Sequence, residues 1–171
     1  MRRIAVLVFA GSSFAGSWFA GSAMAQQPAA SPPRIAGVWK LNTEKSTVRI
    51  PPGATEIRQY FVRPDGYLVG LLITMTGQPG NPYHTLQFTA KSDGKDYPEY
   101  SDQNIADLIA SGRATPRTYA EQAVDEDTTM WFDKADGRVI AQGKKIVSKD
   151  GRTLTITVDG SQQVRVYDRQ Q

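Results

Sequence analysis

His84 is the only histidine in the chain, so any triad or imidazole metal site would have to be built around one ring. It opens the segment His84 to Ala90, where Leu86, Phe88 and Ala90 share one parity and Thr85, Gln87 and Thr89 the other. On an alternating strand His84 therefore shares a face with Leu86 and Phe88, beside a loop at Gly77 to Pro82. An imidazole there suits a general base or a polar contact that orients a ligand. It also suits a strand-end histidine half in solvent, the reading favoured because no partner nucleophile is identifiable. The densest acidic group, Asp125-Glu126-Asp127 with nearby Glu121, lacks the spacing of a calcium loop and reads as a solvated turn. No zinc signature, glycine-rich phosphate loop or G-x-S-x-G elbow is present. The expectation is no metal, no cofactor and no identified catalytic residue.

Phe61, Met75, Phe88, Met130, Trp131 and Phe132 all fall on strand-like segments. A barrel of about eight strands either fills its interior with such side chains or leaves room for one small apolar ligand. Phe61, Met75, His84, Leu86, Phe88 and Trp131 are the candidate lining of that site. The cations near the C-terminus, Lys144, Lys145, Lys149, Arg152, Arg165 and Arg169, are interleaved with Asp150, Asp159 and Asp168. They read as protection of strand edges rather than a polyanion surface.

The elements that must position these residues are announced by turns. Asp-Gly pairs at 65–66, 93–94, 136–137 and 150–151 separate strand-like segments, and both residues tolerate the positive φ of a tight hairpin. Strands are expected at Gly37 to Leu41, Glu56 to Val62, Tyr67 to Thr76 and His84 to Ala90, with a partner starting at Gly94 to Tyr97. Later strands are expected at Arg117 to Val124, Thr128 to Asp133, Arg138 to Val147, Arg152 to Val158 and Gln163 to Asp168. Tyr67 to Thr76 is apolar on both faces, which predicts a well-covered position in the sheet. Such a run of short strands means an antiparallel barrel or sandwich. Ser101 to Gly112 breaks the rhythm. Ile105, Leu108 and Ile109 recur at helical spacing, Ser101 or Asp102 suits the N-cap and Gly112 the left-handed C-cap, predicting a short helix across one end as plug or lid.

Residues 1–25 read as a secretory signal peptide, with Met1-Arg2-Arg3, an apolar run and an Ala23-Met24-Ala25 ending; residues 26–34 read as a flexible mature N-terminus and 35–171 as one domain. The chain's net charge is +3. Cleavage after Ala25 removes Arg2 and Arg3, two of its 20 basic residues, and leaves 18 against 17 acidic ones. That near-neutral balance removes the case for nucleic acid or for an anionic membrane surface. With no cysteine, an exported chain depends on packing alone, and a bacterial periplasm is the expected compartment.

Gly37-Val38-Trp39-Lys40-Leu41-Asn42 with Glu44-Lys45-Ser46 resembles an exported bacterial lipocalin-like family that is largely uncharacterised. The likeness continues at Phe88-Thr89-Ala90-Lys91, Asp93-Gly94-Lys95-Asp96-Tyr97-Pro98, the block from Val147 to Ile156, and Val166-Tyr167-Asp168. It implies an up-and-down barrel whose Gly37-x-Trp39 motif closes one end, with Arg165 or Arg169 over the ring as a cation–π partner. Trp39 and Arg165 are then structural residues. The preferred function is binding of a small apolar or amphipathic molecule without catalysis or stable membrane insertion. The alternatives are a solid-cored structural or partner-binding envelope protein and a small cavity enzyme using His84.

Overall fold

Every one of those Asp-Gly pairs lies between two consecutive strands, and Asp159-Gly160 adds a further turn of the same kind. At 136–137 both residues carry positive φ, 48° and 72°, as a two-residue hairpin turn matched to the strand twist requires. The structure is a computed structural model that describes residues 34–113 and 115–171, with backbone only at 81, 82, 103–105, 107 and 108. The expected signal peptide and nearly all of the expected flexible N-terminus therefore lie outside the described residues.

Ten strands run in chain order: β1 Gly37–Leu41, β2 Thr55–Val62, β3 Leu68–Gln78, β4 Asn81–Ala90 and β5 Tyr97–Ser101, then β6 Arg117–Ala123, β7 Thr128–Ala135, β8 Arg138–Val147, β9 Thr153–Val158 and β10 Val164–Gln170. One helix, α1 Asp102–Ser111, interrupts them between β5 and β6. Each strand pairs antiparallel with its sequence neighbours, and β10 returns to β1, closing the barrel. Closure leaves no sheet edge to protect. This corrects the edge-protection reading of the C-terminal cations, because Lys145, Arg165 and Arg169 occupy inward positions. Lys145 is buried, Arg165 lines the interior and Arg169 stacks on the core residue Trp39.

Inward parity gathers Trp39 and Leu41, Tyr60, Leu68, Phe88 and Ala90, Tyr119, Val147, Leu154 and Ile156, and Tyr167 into one buried cluster. Gly70 is part of this packing, since a Cβ there would strike the Phe88 ring. The ring fills the place of the missing side chain and stacks on Tyr119 with centroids 3.8 Å apart. The outward parity of β3 tells a different story from the expectation. Val69, Leu71 and Ile73 are only half-buried, and among the described residues β3 packs chiefly on its sheet neighbours β2 and β4, so the doubly apolar segment is not well covered there.

The turns after β2, β4, β6 and β8, with residues 34–36, form one end of the barrel. Trp39 closes it. Its indole donates to Ile35 O at 2.8 Å, and the Arg169 guanidinium lies over the ring, 4.2 Å from its centroid. Arg169 also donates to Gly151 O at 2.5 Å and Ala36 O at 2.6 Å, and to Arg34 O. Gly37 is required here: its φ is +140°, and a Cβ would collide with the guanidinium. The cation over Trp39 is therefore Arg169, and Arg165, four residues earlier on the same face, sits deeper in the barrel. At the opposite end α1 follows β5, with Gly112 left-handed at φ 68°. Ile109, expected on its packed apolar face, is 80 % exposed.

Candidate functional site: the barrel cavity

Alternation carries β2, β4, β7, β8 and β10 past the same interior volume, and their inward residues do not fill it. A cavity of about 290 Å³ remains. Its apolar wall is Leu72, Leu86, Phe88, Ile156 and Val158, with Trp131 beside them. Its polar wall is made by charged residues whose burial demands partners.

On the β2–β10 side Glu56 accepts from Arg58 Nε at 3.0 Å, pairs with Arg58 Nη2 at 2.9 Å and accepts from the Tyr167 hydroxyl. Arg58 Nε also reaches Tyr167 Oη at 2.9 Å, and Arg165 Nε stands 3.7 Å from Glu56 Oε2. Burial pushes the Glu56 carboxyl up, but Arg58, Tyr167 and Arg165 together hold it below its usual value. The local excess is one positive charge.

Across the barrel, on β5–β7, Glu99 faces Asp133 with Arg117 nearby; Asp133 lines the cavity, and Glu99 and Arg117 line the chamber that adjoins it. Glu99 is 3 % exposed. Burial, then the hydrogen bond and charge of Asp133, push its carboxyl up to about 8, against the opposing pull of Arg117. Two carboxyls forced together keep a proton between them. Glu99 Oε2, Asp133 Oδ1, Arg117 Nε and Trp131 Nε1 are buried without hydrogen-bond partners among the described residues, and natural interiors leave few such atoms. These four atoms offer both donors and acceptors.

A second chamber of about 280 Å³ shares Leu72, Thr74, Leu86 and Asp133 with the first and leads towards α1. His84 and Asp102 stand in its wall, with Nδ1 to Oδ2 at 2.5 Å. Partial burial raises the Asp102 carboxyl, but His84 and the Thr85 amide, which donates at 2.9 Å, hold it below its usual value. His84 is half-exposed at 51 %.

Of the residues named from sequence, Leu86, Phe88 and Trp131 line the cavity, and His84 lines the outer chamber. Phe61 and Met75 do not. They are 55 % and 50 % exposed on the outer surface, because their parity is opposite to that of Tyr60 and Thr74 on the same strands. Arg165, assigned to Trp39, lines the cavity instead. Sequence reasoning missed Glu56, Arg58, Tyr60, Tyr119 and Lys145. The signal was present: each shares the parity of a core residue on its strand, but charged residues read by habit as surface. The acidic turn at Asp125-Glu126-Asp127 is held by cations, with Arg34 2.7 Å from Asp127 and Lys149 3.2 Å from Glu126.

The closed ten-strand antiparallel barrel defines the class of this molecule. Among solved structures, a Schistosoma mansoni fatty acid binding protein in complex with arachidonic acid has a TM-score of 0.51 at 14% identity, covering 81% of this chain and 97% of that one. The fluorescent protein UnaG aligns with a TM-score of 0.48 at 15% identity over 80% of this chain and 98% of its own. The first likeness shows a fatty-acid-binding-protein-like barrel fold. No family model matches the chain, and no curated protein matches it in sequence, so the resemblance to an exported lipocalin-like family extends only to the barrel.

Proposed function

We propose that the barrel binds one small amphipathic molecule without catalysing its conversion. One observation carries this reading: a largely apolar cavity of about 290 Å³ whose wall includes Trp131 and Asp133, adjoining at Asp133 a second chamber lined by Glu99 and Arg117, with buried donors and acceptors on all four residues lacking partners among the described residues. That size is at the lower limit of small-molecule sites, about 300–1,000 Å³. The ligand's apolar body would lie against Leu72, Leu86, Phe88 and Ile156. Its polar groups would meet Glu99, Asp133, Arg117 and Trp131, whose unmet hydrogen-bonding capacity costs free energy until something satisfies it. The similarly folded Schistosoma protein carries arachidonic acid, which supports the general use of such an interior for an amphiphile.

Export belongs to the same reading. Residues 1–25 would direct the chain to the periplasm and be removed after Ala25, leaving a mature protein that begins at Gln26 and stays off the membrane. Intact mass of the protein recovered from the periplasmic fraction tests this, and a membrane-retained chain that keeps residues 1–25 contradicts it. The binding claim is tested by mass spectrometry of the purified protein under native conditions after incubation with medium-chain amphiphiles. A stoichiometric complex is expected. Its absence for all of them favours the solid-barrel alternative.

A further inference from the structure

Lys145 is the only buried lysine of the chain, 2 % exposed on β8; the others are exposed or half-exposed. Its side chain lines the cavity on the side towards the Trp39 end. The Nζ atom stands 5.1 Å from the ring centroid of Tyr60, 5.6 Å from that of Phe88 and 5.5 Å from that of Tyr119. Its hydrogen-bond acceptor is Glu121 Oε1, which also accepts from the Tyr119 hydroxyl at 2.8 Å.

An ammonium carries three N–H donors, and among the described residues Glu121 Oε1 is the acceptor this one has, with the rings of Tyr60, Phe88 and Tyr119 around it. Burial, with the positive charge of Arg58 added, pulls the amine well below its ordinary range. Glu121 is in place to take the proton. A buried ion pair of this kind contributes little net stability compared with apolar packing, so stability alone does not account for a lysine here. A desolvated lysine beside another cation is the arrangement that exposes a nucleophilic amine at neutral pH.

We propose that Lys145 captures the carbonyl end of a small amphipathic aldehyde as a reversible imine. The inference rests on the cavity being a ligand site and adds a covalent step to it. Glu121 takes a proton from the ammonium, and the freed amine nitrogen attacks the carbonyl carbon. A C–N bond forms, and the carbonyl oxygen gains a proton from the Glu121 carboxyl. The carbinolamine nitrogen, which still carries two protons, gives up one of them with the hydroxyl as water, and C=N forms as a protonated imine paired with the Glu121 carboxylate. Ammonium and aldehyde give protonated imine and water, with no change of oxidation state. The Tyr119 hydroxyl, held on Glu121, orients that carboxylate. The apolar chain would lie along Leu86, Leu72 and Val158, with a second polar group of the ligand, where it has one, at Trp131 and Asp133.

The unmodified protein is the subject of the test. It is incubated at pH 7 with octanal and sodium cyanoborohydride, which reduces an imine to a stable secondary amine, and the adduct is mapped by peptide mass spectrometry. Binding of octan-1-ol, which lacks the carbonyl, is measured in parallel by displacement of an apolar fluorophore. The expected result is one adduct per chain, of the aldehyde mass less one oxygen, on Lys145. Its occupancy should exceed that of any surface lysine by at least about tenfold, the gain in free amine for each unit of lowered pKa. Adducts spread over surface lysines with Lys145 unmodified overturn the proposal. Octan-1-ol binding without a Lys145 adduct overturns it and leaves non-covalent binding standing. Failure of both alcohol and aldehyde overturns the two together.

Discussion

At the closed end of the barrel, the Arg169 guanidinium spends three of its nitrogens on three backbone carbonyls and its face on the Trp39 ring. On the β5–β7 wall, by contrast, Arg117 Nε, Glu99 Oε2, Asp133 Oδ1 and Trp131 Nε1 are buried and have no hydrogen-bond partner among the described residues. Both regions use an arginine and a tryptophan. In the first every group finds its complement within the chain, so the cluster stabilises the fold. In the second the chain leaves the complement out, which lowers stability and creates capacity for a ligand. The Glu56–Arg58–Tyr167 group stands between the two, satisfied internally yet facing the cavity.

The sharpest way to break this contrast is Trp39→Ala. Removing a fully buried aromatic at the closed end should cost about 3–5 kcal/mol in urea denaturation. A loss below about 1 kcal/mol, the scale of a surface change, would show that the end is not held as described.

The next effect is on pH. Glu99 has its folded-state carboxyl raised to about 8 from an ordinary 4.5, so the folded state keeps a proton that the unfolded chain releases. Its contribution is therefore complete below pH 4.5 and is lost as pH rises towards 8. Glu56, held below its usual value, works in the opposite sense and contributes stability that disappears as pH falls below 4.5. Urea midpoints should decline between pH 5 and 8.5, and Glu99→Gln should flatten the decline. An unchanged slope in that variant assigns the titration elsewhere.

The smallest effect belongs to His84. Because it is half-exposed and engaged with Asp102 at the outer chamber, His84→Ala should change the affinity of a bound amphiphile by no more than about one hydrogen bond, 0.5–1.5 kcal/mol. A loss of turnover on any substrate of a hundredfold or more, with affinity intact, would instead make it a general base.

Much of the architecture was legible because turns and alternation are local. Asp-Gly pairs marked the hairpins, and the helix at 102–111 announced itself by its break in period and its Gly112 cap. The site was half legible. Parity assigned Leu86, Phe88 and His84 to one face without difficulty, since threonine and glutamine on the other face gave a contrast. It failed for Met75, because both faces of β3 are apolar and alternation carries no sign of which is inside, and for Phe61, because the opposite, inward face of β2 carries the charged residues Glu56 and Arg58. It failed again for Glu56, Arg58, Glu121 and Lys145. Those charges are tolerated inside only because partners from strands that flank a common neighbour, β2 and β10 about β1 or β6 and β8 about β7, meet on the inner face, and no local pattern records such meetings. The choice of Arg169 over Arg165 likewise depends on the β1–β10 register, which pairs Trp39 with Arg169.

The central claim is that the interior is hollow and open to a small amphiphile, and titration of the purified protein with an apolar fluorophore, alongside Leu86→Trp, tests it most directly. The wild-type protein should bind one equivalent with micromolar affinity, roughly −8 kcal/mol, and the variant, whose added ring fills the cavity beside Phe88, should remain folded and lose that binding. Saturation at one equivalent in both proteins with equal affinity, or none in either, would contradict the account.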